Sequence, residues 1–369
     1  MLPNSLSLRQ ETQVLMKLNQ MSYLIGSKYL DEVDTDTLLE GAYAGFANAV
    51  GDKYTRYYTQ EEFEAYLENA SGTFAGIGVV VGWNVDRQMV EVLSVTDGGP
   101  AEKGGMQAGD LIFSVNGEEM KDASMEIVTS RIRGKVGTDV VIGVLREGEE
   151  DPVLLTVTRE RIEENTVASH MIDDGIGYIQ IIEFDDITSK QFKEALEGLQ
   201  EQGMKGLILD LRGNPGGRLN VVVDIADQIL PEGLITYTLT RDGKREDFTS
   251  QEETQLSIPL VTLVDENSAS ASEILSGAIR DHHMGTLIGM KTFGKGIVQT
   301  TYSLTDESGL KVTMARYYTP NGEFIHGVGI EPDITVSLPE NVMLDEVRGT
   351  EKDTQYAAAL EEIHRLIEE

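Results

Sequence analysis

Hydrophobic and polar positions follow three different patterns along the chain. Over residues 6–48, apolar side chains recur every three or four positions, which predicts helices with one apolar face. Over residues 71–160, short runs rich in valine, isoleucine and glycine, such as 78–81 and 140–145, predict a compact group of β-strands. We therefore expect an N-terminal helical segment, residues 1–70, followed by a strand-rich domain, residues 71–160.

From residue 161 to residue 340, strand patterns alternate with helix patterns. Apolar runs predict strands, and the segments between them have helical spacing; the clearest strands are 177–182, 206–211 and 258–264, and the clearest helices are 188–200, 219–230 and 274–280. This alternation predicts a layered α/β domain. Residues 341–369 end in an acidic amphipathic helix suited to an edge or dimer contact. The predicted fold class is multidomain α+β.

Composition and charge narrow the range of partners. The chain has 369 residues, of which 40% are hydrophobic, so it has enough apolar residues for a core. Its formal net charge of −33 repels phosphate backbones, so we expect no nucleic-acid partner. No histidine and carboxylate spacing matches a metal motif, and we expect neither a metal nor another cofactor.

The absence of cysteine and the absence of a membrane segment bear on location. Without cysteine there are no disulfides and no thiolate nucleophile, and such a chain suits an oxidising compartment. No apolar run approaches the ~20 residues of a membrane helix. The first nine residues lack the basic and apolar regions of an export signal, so the chain is either cytosolic or begins after a removed export segment.

The most suggestive local pattern surrounds Ser270. An apolar run ends at Val264, a turn of small residues follows, and a helix begins close behind Ser270. A serine at such a turn lies next to the free N–H groups of the helix, which is a suitable position for a nucleophile. The alternative is that Ser270 and Glu273 form only a capping box.

Two glycine-rich loops supply the other parts of a candidate site. Residues 213–217 follow a neighbouring predicted strand and allow a backbone N–H to point at a developing oxyanion. Lys295 lies between Gly294 and Gly296. A serine and a lysine perform acyl transfer if the lysine is neutral, which requires a pKa well below 10.4 and costs roughly 4 kcal/mol.

Two stretches of the strand-rich region resemble PDZ domains. Residues 74–79 place two glycines beside a strand, and residues 99–117 run from a short helix through a Gly-Asp turn into a hairpin. By this resemblance, Gly76, Ile77, Gly78 and Val79 form the loop that binds a terminal carboxylate. The alternative is that the glycines only form a bulge.

Three motifs resemble the carboxyl-terminal processing (tail-specific) protease family. They are Asp-Leu-Arg-Gly-Asn-Pro-Gly-Gly at 210–217, Glu-Asn-Ser-Ala-Ser-Ala-Ser-Glu at 266–273 and Thr-Phe-Gly-Lys-Gly-Ile-Val-Gln at 292–299. The resemblance implies a crotonase/ClpP-like protease core at 161–340 with an inserted PDZ domain. It also implies Ser270 as nucleophile, Lys295 as general base and Gln299 as the residue that orients the lysine. The N–H groups of Gly216 and Ala271 are implied as the oxyanion hole.

The function expected from these motifs is that of a serine endopeptidase that recognises polypeptide C-termini. An alternative is a non-catalytic PDZ scaffold on a protease-like fold, and another is a crotonase-like coenzyme A enzyme. A Ser-His-Asp site built from Asp281 and His282 is disfavoured, because Asp281 lies 11 residues along the helix from Ser270, ~16 Å at the helical rise.

Three further expectations concern regulation, assembly and location. Arg133 lies in a basic cluster late in the PDZ region, and we expect it to dock that domain on the protease body in response to peptide. The alternative for Arg133 is a solvated turn. We expect a homodimer through the N- and C-terminal helices, and an extracytoplasmic protein whose export or anchor segment is not part of this chain.

Overall fold

The computed structural model describes residues 6–70, 73–121, 123–149, 151–172, 175–251 and 256–369. Residues 1–5 and the expected first residue of the PDZ domain, residue 71, lie outside these ranges. The helices are α1 (Leu8–Lys28), α2 (Thr35–Asn48), α3 (Gln60–Ala70), α4 (Pro100–Lys103), α5 (Met125–Ile132), α6 (Thr188–Glu201), α7 (Leu219–Asp227), α8 (Ala271–Asp281), α9 (Leu344–Val347) and α10 (Thr354–Glu368). No helix in the described ranges is long and apolar enough to cross a membrane.

The strands of the described ranges fall into four sheets. They are β1 (Arg56–Tyr58), β2 (Thr73–Gly76), β3 (Val79–Asn84), β4 (Met89–Val95), β5 (Leu111–Val115), β6 (Glu118–Glu119), β7 (Asp139–Leu145), β8 (Val153–Thr158), β9 (Glu160–Glu163), β10 (Val167–Ile172), β11 (Ile176–Ile181), β12 (Gly206–Asp210), β13 (Gly233–Thr240), β14 (Arg245–Ser250), β15 (Leu260–Val264), β16 (Thr286–Gly289), β17 (Ile297–Ser303), β18 (Gly309–Tyr318) and β19 (Ile334–Thr335).

The chain divides into two compact units. The first unit comprises residues 1–66, 238–244 and 297–316, and the second comprises residues 67–237, 245–296 and 317–369. In the first unit, β18 pairs antiparallel with both β1 and β17. Helices α1 and α2 confirm the helical prediction for residues 6–48, but none of residues 8–28 is buried.

In the second unit, residues 79–158 form a small sheet with an apolar core. The strand order is β3-β4-β5-β7-β8, so β3 lies at an edge. Side chains from the strands and from α4 and α5 fill the interior, among them Val92, Ile112 and Ile142, each with no exposed surface. Strands β2 and β9 pair antiparallel on either side of this part of the chain.

The second unit also contains a six-stranded sheet in the order β10-β11-β12-β15-β16-β19. Strand β10 is antiparallel to β11, and the remaining neighbours are parallel. Every residue of β12 and β15 is buried, as expected for parallel strands covered on both faces. The carboxyl ends of these two strands lead into residues 211–217 and 265–270, where the candidate motifs lie.

Helix α10 packs on this sheet. Its residues Tyr356, Ala359 and Ile363 belong to an apolar cluster with residues of β11, β12, β15 and β16. Burial against the sheet removes this part of the apolar face of α10 from the surface, and a homodimer through the terminal helices stays a prediction.

Candidate active site

Ser270 lies at the turn between β15 and α8 in a strained backbone conformation. Its φ of 56° and ψ of −110° are rare for a residue with a side chain. The Ser270 N–H donates to Glu273 Oε2 at 2.9 Å, and the hydroxyl of the buried Tyr317 donates to the Ser270 carbonyl at 3.1 Å. Burial and then the Glu273 charge raise the pKa of Tyr317 well above its usual value, so it remains a donor. The strained turn is thus held from both sides.

Glu273 joins this turn to the loop that carries Lys295. Its carboxylate has no exposed surface and accepts four hydrogen bonds, from Ser270 N, Thr292 Oγ1, Gly294 N and Lys295 N, at 2.6–2.9 Å. The N–H groups of Ser270 and Lys295 donate to the same oxygen, Oε2. The two backbone nitrogens therefore lie within two hydrogen-bond lengths of each other, although 25 positions separate the residues in the sequence.

The loop around Lys295 is packed tightly through its glycines. A Cβ atom on Gly296 would lie 2.7 Å from His326 N, and one on Gly294, whose φ is +86°, would lie 2.9 Å from Gly329 N. Only glycine fits at these positions. Lys295 between them is half-buried.

The residue 213–217 loop lies against the same turn. A Cβ atom on Gly216 would lie 2.7 Å from Ser270 Cβ and 2.9 Å from Ala271 N. The Ala271 N–H, in the first turn of α8, donates to no group in the described part of the chain. The Gly216 N–H donates to Asn214 Oδ1 at 2.8 Å. Both predicted oxyanion donors thus lie beside Ser270, and the Gly216 N–H is already hydrogen-bonded to the Asn214 side chain.

A buried ionic network supports the start of this loop. The Arg212 guanidinium has no exposed surface and donates to the Asp210 and Asp353 carboxylates at 2.7–3.0 Å. Arg348 donates to Asp210 Oδ2 and to the Arg212 carbonyl. Burial favours the neutral form of Asp210, but Arg212 and Arg348 outweigh it and lower its pKa. This network connects the candidate site to the segment before α10.

Acidic side chains lie on the segment beside residues 216–218. Phe184 pairs with this loop, donating to the Gly216 carbonyl and accepting from the Arg218 N–H. Next to it, burial and then the Glu183, Glu164 and Asp186 charges raise the pKa of Asp185 to about 7, against a lowering effect of Arg218.

The loop predicted to bind a carboxylate lies between β2 and β3. The carbonyls of Ile77 and Gly78 accept hydrogen bonds from Ala101 N and Thr96 N. The N–H groups of Ile77 and Gly78 donate to no group in the described ranges. The Ile77 side chain is buried in the apolar core, and Val79 packs beside it half-buried.

The other predicted residues occupy separate places. Gln299 lies on β17 in the first unit, where its Nε2 donates to the Ile297 carbonyl at 3.4 Å. Arg133 is the C-cap residue of α5, directly after Ile132.

His282 is the C-cap residue of α8, and its Nε2 lies 2.8 Å from the Leu234 carbonyl. The Asp281 carboxylate accepts hydrogen bonds from Arg280 and from the Asn321 N–H. No Ser-His-Asp site is built from these groups. In the described ranges, no three histidine or carboxylate side chains are arranged to hold a metal ion.

Sequence reasoning missed three parts of the site. Glu273 has a local signal, the capping box, but that pattern gives no sign of its bonds to the Lys295 loop. Asp353 has no signal, since its partner Arg212 lies 141 positions earlier. The Asn214 side chain follows from the motif only as a turn residue.

Comparison with known families defines the class of protein. The model of peptidase family S41 matches residues 175–336, a PDZ domain model matches residues 91–159, and the model of the activating protease CtpB N-terminal domain matches residues 3–62. These matches confirm the predicted PDZ domain and α+β fold and indicate a serine peptidase.

Individual relatives are similar over nearly the whole chain. The chain is 35% identical over 385 residues to the carboxyl-terminal-processing protease of Synechocystis sp., covering 97% of this chain and 88% of the relative. It is 37% identical over 331 residues to carboxy-terminal processing protease CtpA of Bacillus subtilis, covering 89% and 70%. Among solved structures, the photosystem II D1 C-terminal processing protease gives a TM-score of 0.52 at 29% identity, covering 92% and 94%. The chain belongs to the carboxyl-terminal-processing protease family, within peptidase family S41.

Proposed function

We propose that this serine peptidase is an endopeptidase that uses a Ser270–Lys295 dyad and an acyl-enzyme. Ser270 Oγ attacks the scissile carbonyl and passes its proton to the neutral Lys295 amine. The lysine then donates that proton to the leaving amine, and water hydrolyses the ester with the lysine again as base. Gln299 has the role of orienting Lys295.

The shared acceptor Glu273 Oε2 is the observation that carries this proposal. One buried carboxylate oxygen accepts hydrogen bonds from the N–H groups of Ser270 and Lys295. The turn that carries Ser270 and the loop that carries Lys295 are therefore held next to each other by the same atom. The strained backbone of Ser270 agrees with a functional role, since such strain is concentrated at active sites. The Ala271 and Gly216 N–H groups would receive the oxyanion.

Labelling with a fluorophosphonate tests the nucleophile. We expect the reagent to modify Ser270, identified by peptide mass spectrometry, and to modify neither Ser268 nor Ser272, which are fully buried. His282→Ala should label normally. Peptide binding with no labelling of the folded protein would favour the non-catalytic scaffold instead.

We propose that the PDZ loop binds the free carboxylate of a polypeptide. The available N–H groups of Ile77 and Gly78 would receive the carboxylate, and the peptide would add to the edge strand β3. Peptides with a free C-terminus should bind the full chain carrying Ser270→Ala more tightly than amidated copies, by calorimetry. Equal affinity of the two forms would refute this recognition mode.

We propose a regulatory role for Arg133. Arg133 would transmit peptide binding to the protease, so Arg133→Ala should lower peptide-stimulated turnover, and unchanged turnover would remove that role.

Helix α1 would form a homodimer, because many of its apolar side chains are exposed; these are Leu8, Val14, Leu15, Met16, Met21 and Leu24. Leu15→Glu should then shift sedimentation to the monomer, and a wild-type monomer would refute the dimer.

We propose an extracytoplasmic location. The cysteine-free composition supports it. Fractionation of cells that express the complete natural gene product should place the protein outside the cytoplasm, and recovery in the cytosolic fraction alone would contradict the proposal.

A further inference from the structure

The two predicted oxyanion donors differ in their hydrogen bonds. The Ala271 N–H donates to no group in the described part of the chain, whereas the Gly216 N–H donates to Asn214 Oδ1 at 2.8 Å. Asn214 has no exposed surface, and its Nδ2 donates to the Ile181 carbonyl at 2.8 Å. This second bond fixes the orientation of the amide, so its oxygen faces the Gly216 N–H.

The rest of the loop is held by the surrounding protein. The Gly213 N–H donates to Asp265, the Asn214 carbonyl accepts from Ala269 N and Ser272 Oγ, and the Gly216 carbonyl accepts from Phe184 N. The Pro215–Gly216 peptide is different. Its carbonyl accepts no hydrogen bond from the described ranges, and its N–H is bonded only to the Asn214 side chain.

Gly216 gives this peptide the freedom to turn. Its φ is +107°, and a Cβ atom there would lie 2.6 Å from the Ala269 carbonyl oxygen, so the close approach to Ser270 requires glycine. Since a peptide unit is rigid, turning it changes ψ of Pro215 and φ of Gly216. Glycine accepts both signs of φ, so the turn breaks one internal hydrogen bond and leaves the fixed groups of the loop in place.

We propose that the Asn214 side chain holds the Gly216 N–H between turnovers, and that the substrate oxyanion replaces it as the acceptor. The inference rests on the proposed serine mechanism. With Asn214 engaged, the site offers one backbone donor to the oxyanion, and the second becomes available when the Pro215–Gly216 peptide turns. One such donor is worth roughly 10²–10³ in kcat, so this exchange would separate a resting site from an active one.

The structure of the enzyme with a peptide aldehyde tests the exchange. Ser270 Oγ adds to the aldehyde carbon, and the former carbonyl oxygen takes the position of the oxyanion. We expect Gly216 N within hydrogen-bond distance of that oxygen and no longer bonded to Asn214 Oδ1. An adduct in which Gly216 N stays on Asn214 would overturn the inference alone. Failure of the aldehyde to bond to Ser270 would overturn the proposed nucleophile, and the inference with it.

Variants of Asn214 provide a second test in solution. The readout is the ratio of the aldehyde inhibition constant to KM, because a loss of folded enzyme changes neither. Asn214→Ala removes the internal acceptor and should strengthen aldehyde binding relative to substrate by roughly fivefold to tenfold, as expected for one neutral hydrogen bond. Asn214→Asp keeps an acceptor and adds a charge, so it should weaken aldehyde binding.

Asn220→Ala, an exposed asparagine on α7, is the matched control and should leave the ratio unchanged. If Asn214 only supports the loop, both Asn214 variants will weaken aldehyde binding relative to substrate. That result would overturn the inference.

Discussion

The six-stranded sheet has a proposed catalytic edge, where β12 and β15 lead into residues 211–217 and 265–270. This catalytic edge and the PDZ domain each contain a buried aspartate paired with an arginine, but they use the pair differently. In the PDZ domain, Arg146 is partly exposed and pairs with Asp110, 36 positions away, beside an apolar core. At the catalytic edge, Arg212 is fully buried between Asp210 and Asp353, the latter 141 positions away.

This difference follows from what each region must hold in place. Apolar contacts are non-directional, so they stabilise a domain without fixing single atoms. Hydrogen bonds constrain distance and angle, and small displacements of reacting groups reduce rates strongly. The catalytic edge therefore depends on buried polar bonds from distant segments, whereas the PDZ loop depends mainly on its neighbours and on the core below it.

Replacement of the two arginines should have the largest effect on stability. Arg212→Met leaves Asp210 and Asp353 buried without their cation, so we expect a loss of about 3–5 kcal/mol in the free energy of unfolding. Arg146→Met removes one partly exposed cation, and Asp110 keeps the Gln107 N–H as a donor, so it should cost less, about 1.5–3 kcal/mol. Urea unfolding at neutral pH measures both. Equal losses would show that the two networks do not differ in kind.

Glu273→Gln should affect turnover more than binding. Both carboxylate oxygens of Glu273 accept hydrogen bonds, and the NH₂ group of glutamine cannot accept them. The substitution therefore disturbs the contacts that hold the Ser270 turn beside the Lys295 loop. We expect kcat to fall on the order of 10²-fold while KM changes little. Glu266→Gln, at an exposed acid in the same turn, is the control and should leave kcat unchanged. A normal kcat for Glu273→Gln would remove Glu273 from the mechanism.

Asp185→Asn should have the smallest effect, and the effect should depend on pH. Burial and neighbouring acids raise the pKa of Asp185 from 3.8 to about 7, so the folded state binds its proton more tightly than the unfolded state. The stabilising contribution of protonated Asp185 is therefore lost as pH rises from about 4 to 7. Since asparagine does not ionise, the variant should be more stable by about 1–2 kcal/mol at pH 8.5, after allowance for solvent screening.

Unfolding of both proteins at about pH 3 and pH 8.5 provides the measurement, and the advantage of the variant should nearly vanish at the lower pH, which lies below the unfolded-state pKa. Asp97→Asn is the control, because Asp97 is exposed and is not among the acids that raise the pKa of Asp185. A constant difference between wild type and Asp185→Asn at both pH values would contradict the raised pKa.

Local patterns predicted much of the fold. The hydrophobic spacing predicts α6, β11, β12, β15 and α8 close to their observed bounds, because the same local periodicity determines which faces are buried. The hairpin of β13 and β14 was not predicted. Strand β14 has three charged residues at its start and only Phe248 as a large apolar side chain, so its pairing with other strands rather than its own periodicity determines its structure.

The candidate site was predictable in its motifs and not in its connections. The sequence indicates a turn at Ser270 and glycine loops around Lys295 and Gly216. The bonds from Glu273 to the Lys295 loop and from Asp353 to Arg212 join segments far apart in the chain, and no local pattern encodes such pairs. The bond from Asn214 to Gly216 is local, but its effect on an oxyanion donor appears only when Ser270 is beside it.

The most direct measurement of the central proposal compares Lys295→Arg with Ser270→Ala. Arginine keeps the charge and the hydrogen-bond donors of lysine but does not lose its proton in a protein, so it cannot serve as the base. Peptide cleavage by Lys295→Arg should therefore be as completely abolished as by Ser270→Ala, in folded enzyme, while His282→Ala remains active. Substantial cleavage by Lys295→Arg would show that the Ser270 proton goes to another group and would contradict the dyad.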